Sequence, residues 1–240
     1  MLALLVTAAL CYGAWEGYRW MSGAGMFQIA GVDVTGVREV SDDEVRALAA
    51  LFTSQNIFHV DLDAAMRQAL GNPWVRDVRI ERSLPDRIRI AVTERKPRAV
   101  LEAANGRFLI DREAVVIVPA GSANAAGLPT IAVRDYRAVA RSAATGDGMA
   151  AALELLDELQ ARGGWDMGGV TVRADSAETV AIAYAGHEFR IGSGNYGEKL
   201  RRLGEIVTDM NTRRLEYTYV ELRPERQAAV MVAKSTKGRR

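Results

Sequence analysis

The stretch NPWVRDVRIERSLPDRIRIAVTERKP, residues 72–97, decides the fold of the first part of the chain. Near its end Ile88, Ile90 and Val92 alternate with polar or small residues, as a strand with one buried face requires. Leu84-Pro85-Asp86 predicts a turn, and the residues before that turn alternate in a similar but less regular way. The stretch therefore predicts two neighbouring strands whose apolar face needs a covering layer.

Two short helices upstream are predicted to supply that layer. Ser41 followed by Glu44 forms a capping-box pattern, and Asp61 is suited to cap a second amphipathic helix. A strand is predicted before them, over residues 27–34. Residues 27–97 thus read as strand, helix, helix, strand, strand, which predicts a small α+β domain with helices on a three-stranded sheet.

Residues 98–233 are predicted to form a larger β-rich domain with a mixed sheet and flanking helices. Its helices are expected at residues 135–143, 149–162 and 197–212. Its last two strands are expected at residues 216–222 and 227–233. The basic segment 234–240 is predicted to be a frayed tail.

The first apolar run is interpreted as a single transmembrane helix over residues 1–21, anchored through Leu2, Leu5, Leu10 and Trp15. The uncharged part ends at Trp15 and would rise only about 21 Å as a helix, against a hydrocarbon core of roughly 30 Å. The whole segment would just reach across. A signal peptide and a buried core helix are the alternatives. No Lys or Arg precedes the run, so its charges give no orientation.

Composition excludes several classes of function. The 240 residues include 31 basic and 30 acidic side chains, so bulk attraction to nucleic acid is not predicted. The one cysteine, Cys11, rules out an intramolecular disulfide. The two histidines, His59 and His187, have no metal-ligand or catalytic spacing around them. We therefore expect no enzyme activity, metal, cofactor or small-molecule substrate.

One glycine-rich segment matches the G-x-G-x-x-G pattern of dinucleotide-binding sites. Gly192 to Gly197 reads GSGNYG and lies between a predicted strand and a predicted helix. The preceding strand, His187 to Ile191, is mixed polar rather than apolar. The helix is followed by an apparent hairpin, Tyr217 to Leu222 and Gln227 to Val232, rather than by a further strand-helix repeat. A glycine-rich turn is the favoured interpretation.

A series of short motifs occurs in one order along the chain. They are Asn56-Ile57-Phe58, Asn72-Pro73-Trp74-Val75, Glu94-Arg95-x-Pro97, Leu109-Ile110-Asp111, Ile191-Gly192 and Tyr219-Val220-x-Leu222-Arg223. Together they resemble the FtsQ/DivIB family of cell-division proteins from Phe27 to Val232. The resemblance implies a POTRA domain at 27–97 and an FtsQ-type β domain at 98–233. It also implies a plasma-membrane protein at the division septum, with most of the chain outside the cytoplasm.

The resemblance also implies partners and a binding site. In this family the C-terminal region receives the FtsB–FtsL coiled-coil pair, and the POTRA domain would be a second docking surface for other components of the division machinery. The last strand, if it lies at the edge of its sheet, offers unpaired backbone groups to a partner strand. The residues expected to bind the partner are Tyr219, Glu221, Arg223, Gln227, Ala228, Ala229, Val230, Met231 and Val232.

Two rival functions and two departures from the family pattern accompany this interpretation. A POTRA-bearing factor in protein export or outer-membrane assembly would need a barrel or repeated modules. An exported enzyme would need a site involving residues such as His187 or Asp111. Where the family commonly has glycine after the turn at Asp111, this chain has Ala114, and Pro224-Glu225-Arg226-Gln227 replaces a glycine-containing turn. Both departures concern local turn geometry.

Overall fold

The computed structural model describes residues 2–23, 25–133, 147–224 and 228–232. The chain forms two compact units, residues 1–95 and 96–240. The predicted helix at 135–143, Gln227 and the predicted basic tail at 234–240 lie outside the described residues.

The first unit contains a three-stranded sheet and three helices. They are α1 (Leu2–Gly23), β1 (Gly31–Thr35), α2 (Asp42–Ala50), α3 (Leu62–Leu70), β2 (Val75–Ser83) and β3 (Arg87–Glu94). The strand order is β1-β3-β2, with β1 parallel and β2 antiparallel to β3. The predicted order of strand, helix, helix, strand, strand is confirmed. The first strand begins at Gly31 rather than at residue 27, because Gly25–Phe27 form a short 3₁₀ helix.

Local sequence signals explain the boundaries of the two covering helices. The Ser41 hydroxyl accepts from the Glu44 backbone N–H, and the Glu44 carboxylate accepts from the Ser41 N–H at 3.0 Å. The Asp61 carboxylate accepts from the Ala64 N–H at 2.9 Å and caps α3. Each cap is worth about 1 kcal/mol. Ile88 and Ile90 on β3 are fully buried in the core beneath these helices.

The loop from β1 to α2 is held by one carboxylate and one glycine. Glu94 Oε1, at the end of β3, accepts the backbone N–H groups of Arg38, Glu39 and Val40 at 2.7, 2.9 and 3.0 Å. Partial burial by itself would raise the pKa of Glu94, but these three hydrogen bonds lower it below its ordinary value. Gly36 has φ +85°, and a Cβ there would lie 2.0 Å from the Val92 carbonyl oxygen. The loop therefore requires both residues.

The second unit is built on a nine-stranded mixed sheet. Its strands are β4 (Ala99–Ala103), β5 (Gly106–Ile110), β6 (Val116–Pro119), β7 (Thr130–Ala132), β8 (Thr171–Arg173), β9 (Ala181–Tyr184), β10 (His187–Arg190), β11 (Tyr217–Glu221) and β12 (Ala229–Val232). The order is β12-β11-β10-β9-β8-β7-β4-β5-β6. Three pairs are parallel, namely β4 with β7, β7 with β8, and β10 with β11.

Helices α4 (Asp147–Arg162) and α5 (Tyr196–Thr212) pack on this sheet. Leu155, Leu156 and Leu159 of α4 are fully buried and share one core with residues of the central strands, such as Val172 and Ile182. Burying each such side chain contributes about 1.5–3 kcal/mol. Tyr217 and Val220 of β11 belong to the same core, and Val230 of β12 packs against it.

The predicted transmembrane helix at residues 1–21 is wrong. Among the residues that the structure describes, no helix has both the length and the apolarity needed to cross a membrane. Helix α1 forms, and the predicted anchor side chains Leu5, Leu10 and Trp15 are exposed on it, while the side chain of Leu2 is not described. The physical reason is that the uncharged run stops at Trp15. Glu16 and Arg19 follow in the same helix and form an ion pair at 3.4 Å.

Candidate partner-binding edge

Strand β12 lies at one end of the nine-stranded sheet. It pairs antiparallel with β11, and the aligned residues are Tyr217 with Val232, Tyr219 with Met231, Val220 with Val230, and Glu221 with Ala229. Within the described part of the chain β12 has a neighbour on one side only. The other side presents backbone N–H and C=O groups that an incoming strand would pair with.

The side chains of β12 leave this edge accessible. Val230 is half-buried and packs against the core, which fixes the orientation of the strand. Ala228 and Ala229 are exposed, and Met231 is 61% exposed. For Val232 the backbone pairing is described but the side chain is not. Natural edge strands are commonly protected by charged side chains, and residues 228–232 contain none.

Three of the predicted binding residues form one hydrogen-bonded cluster on β11 and just after it. The Arg223 guanidinium donates through Nε and Nη2 to the two carboxylate oxygens of Glu221, both at 2.7 Å. The Tyr219 hydroxyl donates to the same carboxylate. The hydrogen bond with Arg223 lowers the pKa of Glu221 to about 2, despite partial burial. Burial and the neighbouring Glu221 raise the pKa of Tyr219. Glu221 is therefore ionised at neutral pH and held rigidly.

A row of charges that the sequence did not predict extends this cluster across the sheet. Arg190 lies over the Tyr219 ring, 4.8 Å from its centroid, which is cation–π geometry. Arg190 also donates to Glu188 at 2.9 Å, and Arg173 donates to Glu188 at the same distance. The sequence does contain a signal for this row. Glu188 and Arg190 alternate with the apolar Phe189, which predicts a strand with one charged face.

The glycine-rich segment between β10 and α5 positions Arg223. Gly192 has φ +68°, and a Cβ there would lie 2.8 Å from Arg223 Cγ. Lys199, which is buried, donates from Nζ to the carbonyl oxygens of Ile191 and Ser193 at 2.8 and 2.7 Å. This loop directs carbonyl groups at a lysine, whereas a phosphate site requires N–H groups directed at the ligand. The parallel pairing of β10 and β11 around α5 was not predicted.

The two residues named for a rival enzyme activity have structural roles. The Asp111 carboxylate accepts the backbone N–H groups of Glu113 and Val115, both at 2.9 Å, and so closes its own turn. The ring of His187 bonds through Nδ1 to the Tyr217 carbonyl oxygen at 2.8 Å. Across residues 2–23, 25–133, 147–224 and 228–232, no group of three His, Cys, Asp or Glu side chains is placed to hold a metal ion.

Replacing Glu221 with glutamine is expected to lower the free energy of unfolding by about 1–2 kcal/mol at pH 7, after allowance for the half-exposed Arg223. The folded-state pKa of Glu221 is depressed to about 2. Its stabilisation is therefore complete above its unfolded pKa of about 4.5 and is lost as the pH falls towards 2. Urea unfolding of both chains from pH 7 to pH 2.5 should show the difference shrinking below pH 4.5.

The matched control is Glu216→Gln, which removes an exposed carboxylate just before β11. It should change the free energy of unfolding by no more than about 0.5 kcal/mol. A wild-type advantage over Glu221→Gln that is as large at pH 3 as at pH 7 would contradict the assignment.

Known proteins are similar to the first unit by itself and to most of the chain. The family described as "POTRA domain, FtsQ-type" matches residues 27–95. The chain is 27% identical to "Cell division protein FtsQ" of Geotalea daltonii over 224 residues, covering 92% of this chain and 81% of the relative. The protein of the same name from Myxococcus fulvus is 27% identical, covering 91% and 77%. That from Koribacter versatilis is 30% identical, covering 82% and 58%.

Proposed function

Because the chain belongs to the FtsQ family of cell-division proteins, we propose that it is a non-catalytic scaffold of the division machinery. It binds FtsB- and FtsL-type partners by strand addition at β12. The single observation that carries this proposal is the position of β12 at the end of the sheet, paired on one side by the residues described.

Strand addition suits the chemistry of this edge. Main-chain hydrogen bonds to β12 provide affinity, and the side chains around the edge provide specificity. On the face of β12 that carries Met231, the register places Tyr219 and Glu221 on the neighbouring strand. The guanidinium of Arg223, bound to Glu221, is half-exposed. A partner strand would therefore contact the exposed apolar side chain of Met231 on β12. The charged side chains of Glu221 and Arg223 would lie on the far side of β12 from the partner strand.

The proposed place of action is the division septum, with both domains on the extracytoplasmic side of the plasma membrane. The similarity to FtsQ cell-division proteins supports this location. The POTRA domain offers a second docking surface for other components of the division machinery.

The experiment is a fluorescent fusion of the full chain in the organism that encodes it. Expressed as the only copy, the fusion is expected to form a band at mid-cell during division, and its depletion is expected to produce filamentous cells. A fusion of the same fluorophore to an unrelated extracytoplasmic protein is the control. An even distribution of the fusion together with normal division after depletion would reject the proposal.

A further inference from the structure

The second unit contains a cleft of about 510 Å³ that the residues predicted to bind the partner do not line. It lies between helix α5 and the segment that follows α4, and five rings contribute to its walls. These are Trp165, Tyr184, His187, Phe189 and Tyr217. Its volume is in the range of sites that hold a small molecule or a large side chain.

The rings hold one another in fixed positions. Trp165 meets Tyr184 edge-on with centroids 4.9 Å apart, and His187 stacks on Tyr217 at 4.4 Å. Phe189 is buried and meets Trp165 edge-on at 6.2 Å. Such contacts contribute roughly 0.5–1.5 kcal/mol each beyond burial. The walls are therefore preformed, which reduces the entropic cost of binding an aromatic group.

One polar group in these walls has a defined hydrogen-bonding role. A backbone carbonyl accepts hydrogen bonds and does not donate them, so the 2.8 Å contact with the Tyr217 oxygen places the proton on His187 Nδ1. In the neutral ring Nε2 then carries a lone pair and acts as an acceptor. An aromatic ligand with an N–H or O–H group would satisfy that acceptor, whereas a purely hydrocarbon ligand would not.

The cleft adjoins the proposed binding edge. Tyr217, which forms part of its wall, is the β11 residue aligned with Val232 of β12. Neighbouring strands lie about 4.8 Å apart, so a strand added to β12 would run roughly 10 Å from the backbone of Tyr217. A side chain carried just beyond the end of that strand is within reach of the cleft.

We propose that this cleft binds a tryptophan or tyrosine side chain of the partner that occupies β12, with the ring between the aromatic walls and its N–H or O–H donating to His187 Nε2. The identity of the occupant rests on the proposed function. The preference for an aromatic donor rests on the cleft alone.

The probes are indole and 1-methylindole, which differ in that only indole carries an N–H group. Each is titrated into the ¹⁵N-labelled full chain and followed by amide chemical shifts. Indole is expected to give saturable shifts at residues 184–189 and around Tyr217, with a Kd about fivefold below that of 1-methylindole. Equal Kd values for indole and 1-methylindole would show an apolar pocket without a hydrogen-bond acceptor for the ligand. A lack of saturable shifts would show that the cleft does not bind these ligands. Either outcome overturns the proposal.

Two histidine variants make the test specific. His187→Phe keeps an aromatic ring at the wall but removes the acceptor, so indole and 1-methylindole should bind it equally. His59→Phe replaces an exposed histidine of the other unit and should retain the fivefold preference. Loss of the preference in both variants, or in neither, contradicts the role given to Nε2. Unchanged amide spectra away from the cleft confirm that His187→Phe is folded.

The Met231→Glu variant separates this proposal from the strand-addition proposal, because Met231 is not part of the cleft. It should bind indole like the wild type while losing partner binding at β12. Selective indole binding by a wild-type chain that binds no partner at β12 would reject strand addition and keep the aromatic site. Partner binding at β12 without selective indole binding would reject the cleft proposal alone.

Discussion

The Met231→Glu chain is expected to bind FtsB- and FtsL-type partners at least about tenfold more weakly than the wild type while keeping its fold. Met231 is 61% exposed, so the new carboxylate is solvated in the free protein. A strand added to β12 would place side chains about 5 Å from this position and would remove water from the carboxylate. The measurement is calorimetric titration of the full chain with the purified partner pair from the same organism.

The matched control lies at the opposite end of the same sheet. Val115 is an apolar residue, 38% exposed, immediately before β6. Val115→Glu adds the same charge to the same unit and is expected to leave partner affinity within about twofold of the wild type. Equal loss in both variants would indicate a general charge effect. Wild-type affinity in Met231→Glu would place the partner elsewhere.

Replacing Gly36 with alanine is expected to destabilise the POTRA domain by on the order of 3 kcal/mol or more. The added methyl group would lie 2.0 Å from the Val92 carbonyl oxygen. This oxygen belongs to the backbone, so a change of side-chain rotamer cannot relieve the clash. The positive φ of +85° adds strain for any residue with a Cβ. The measurement is hydrogen exchange of the amides in β1 and β3, which should lose protection relative to those of the second unit.

Gly17→Ala is the control for this variant. Gly17 is helical, and a Cβ there would meet nothing within 4 Å. Alanine has the higher helix propensity, so the change should be neutral or slightly stabilising for α1. Full protection of β1 and β3 in the Gly36→Ala chain would show that the loop relaxes without cost.

Most of the first domain could be predicted because its signals are local. The alternation from Arg87 to Thr93 has the burial pattern of a one-sided strand, and the Ser41 and Asp61 caps form as their spacing indicates. The transmembrane interpretation failed because it extended the apolar run across Glu16 and Arg19. The turn at Asp111 accommodates Ala114 at φ +59°. Its geometry is maintained by the two backbone N–H bonds to the Asp111 carboxylate.

The features that sequence reasoning missed depend on strand order. The row from Arg173 through Glu188 to Arg190 joins residues of β8 and β10, and no local pattern places those strands near each other. The parallel pairing of β10 with β11 was missed because His187 to Arg190 is mixed polar. The reason for that composition is that the strand has one charged face and one buried face. The aromatic cleft likewise combines rings from three separate segments.

The carboxylate of Glu94 has a consequence for where the first domain ends. Residues 31–93 contain every strand pairing of its three-stranded sheet except that of Glu94 itself with Val75. A fragment cut after Thr93 would therefore look complete by its strands, yet the N–H groups of Arg38, Glu39 and Val40 would lose their common acceptor. The residue that holds the loop before α2 is thus the last residue of the last strand of the sheet, Glu94. A fragment of the first domain should therefore fold independently only if it extends through Glu94.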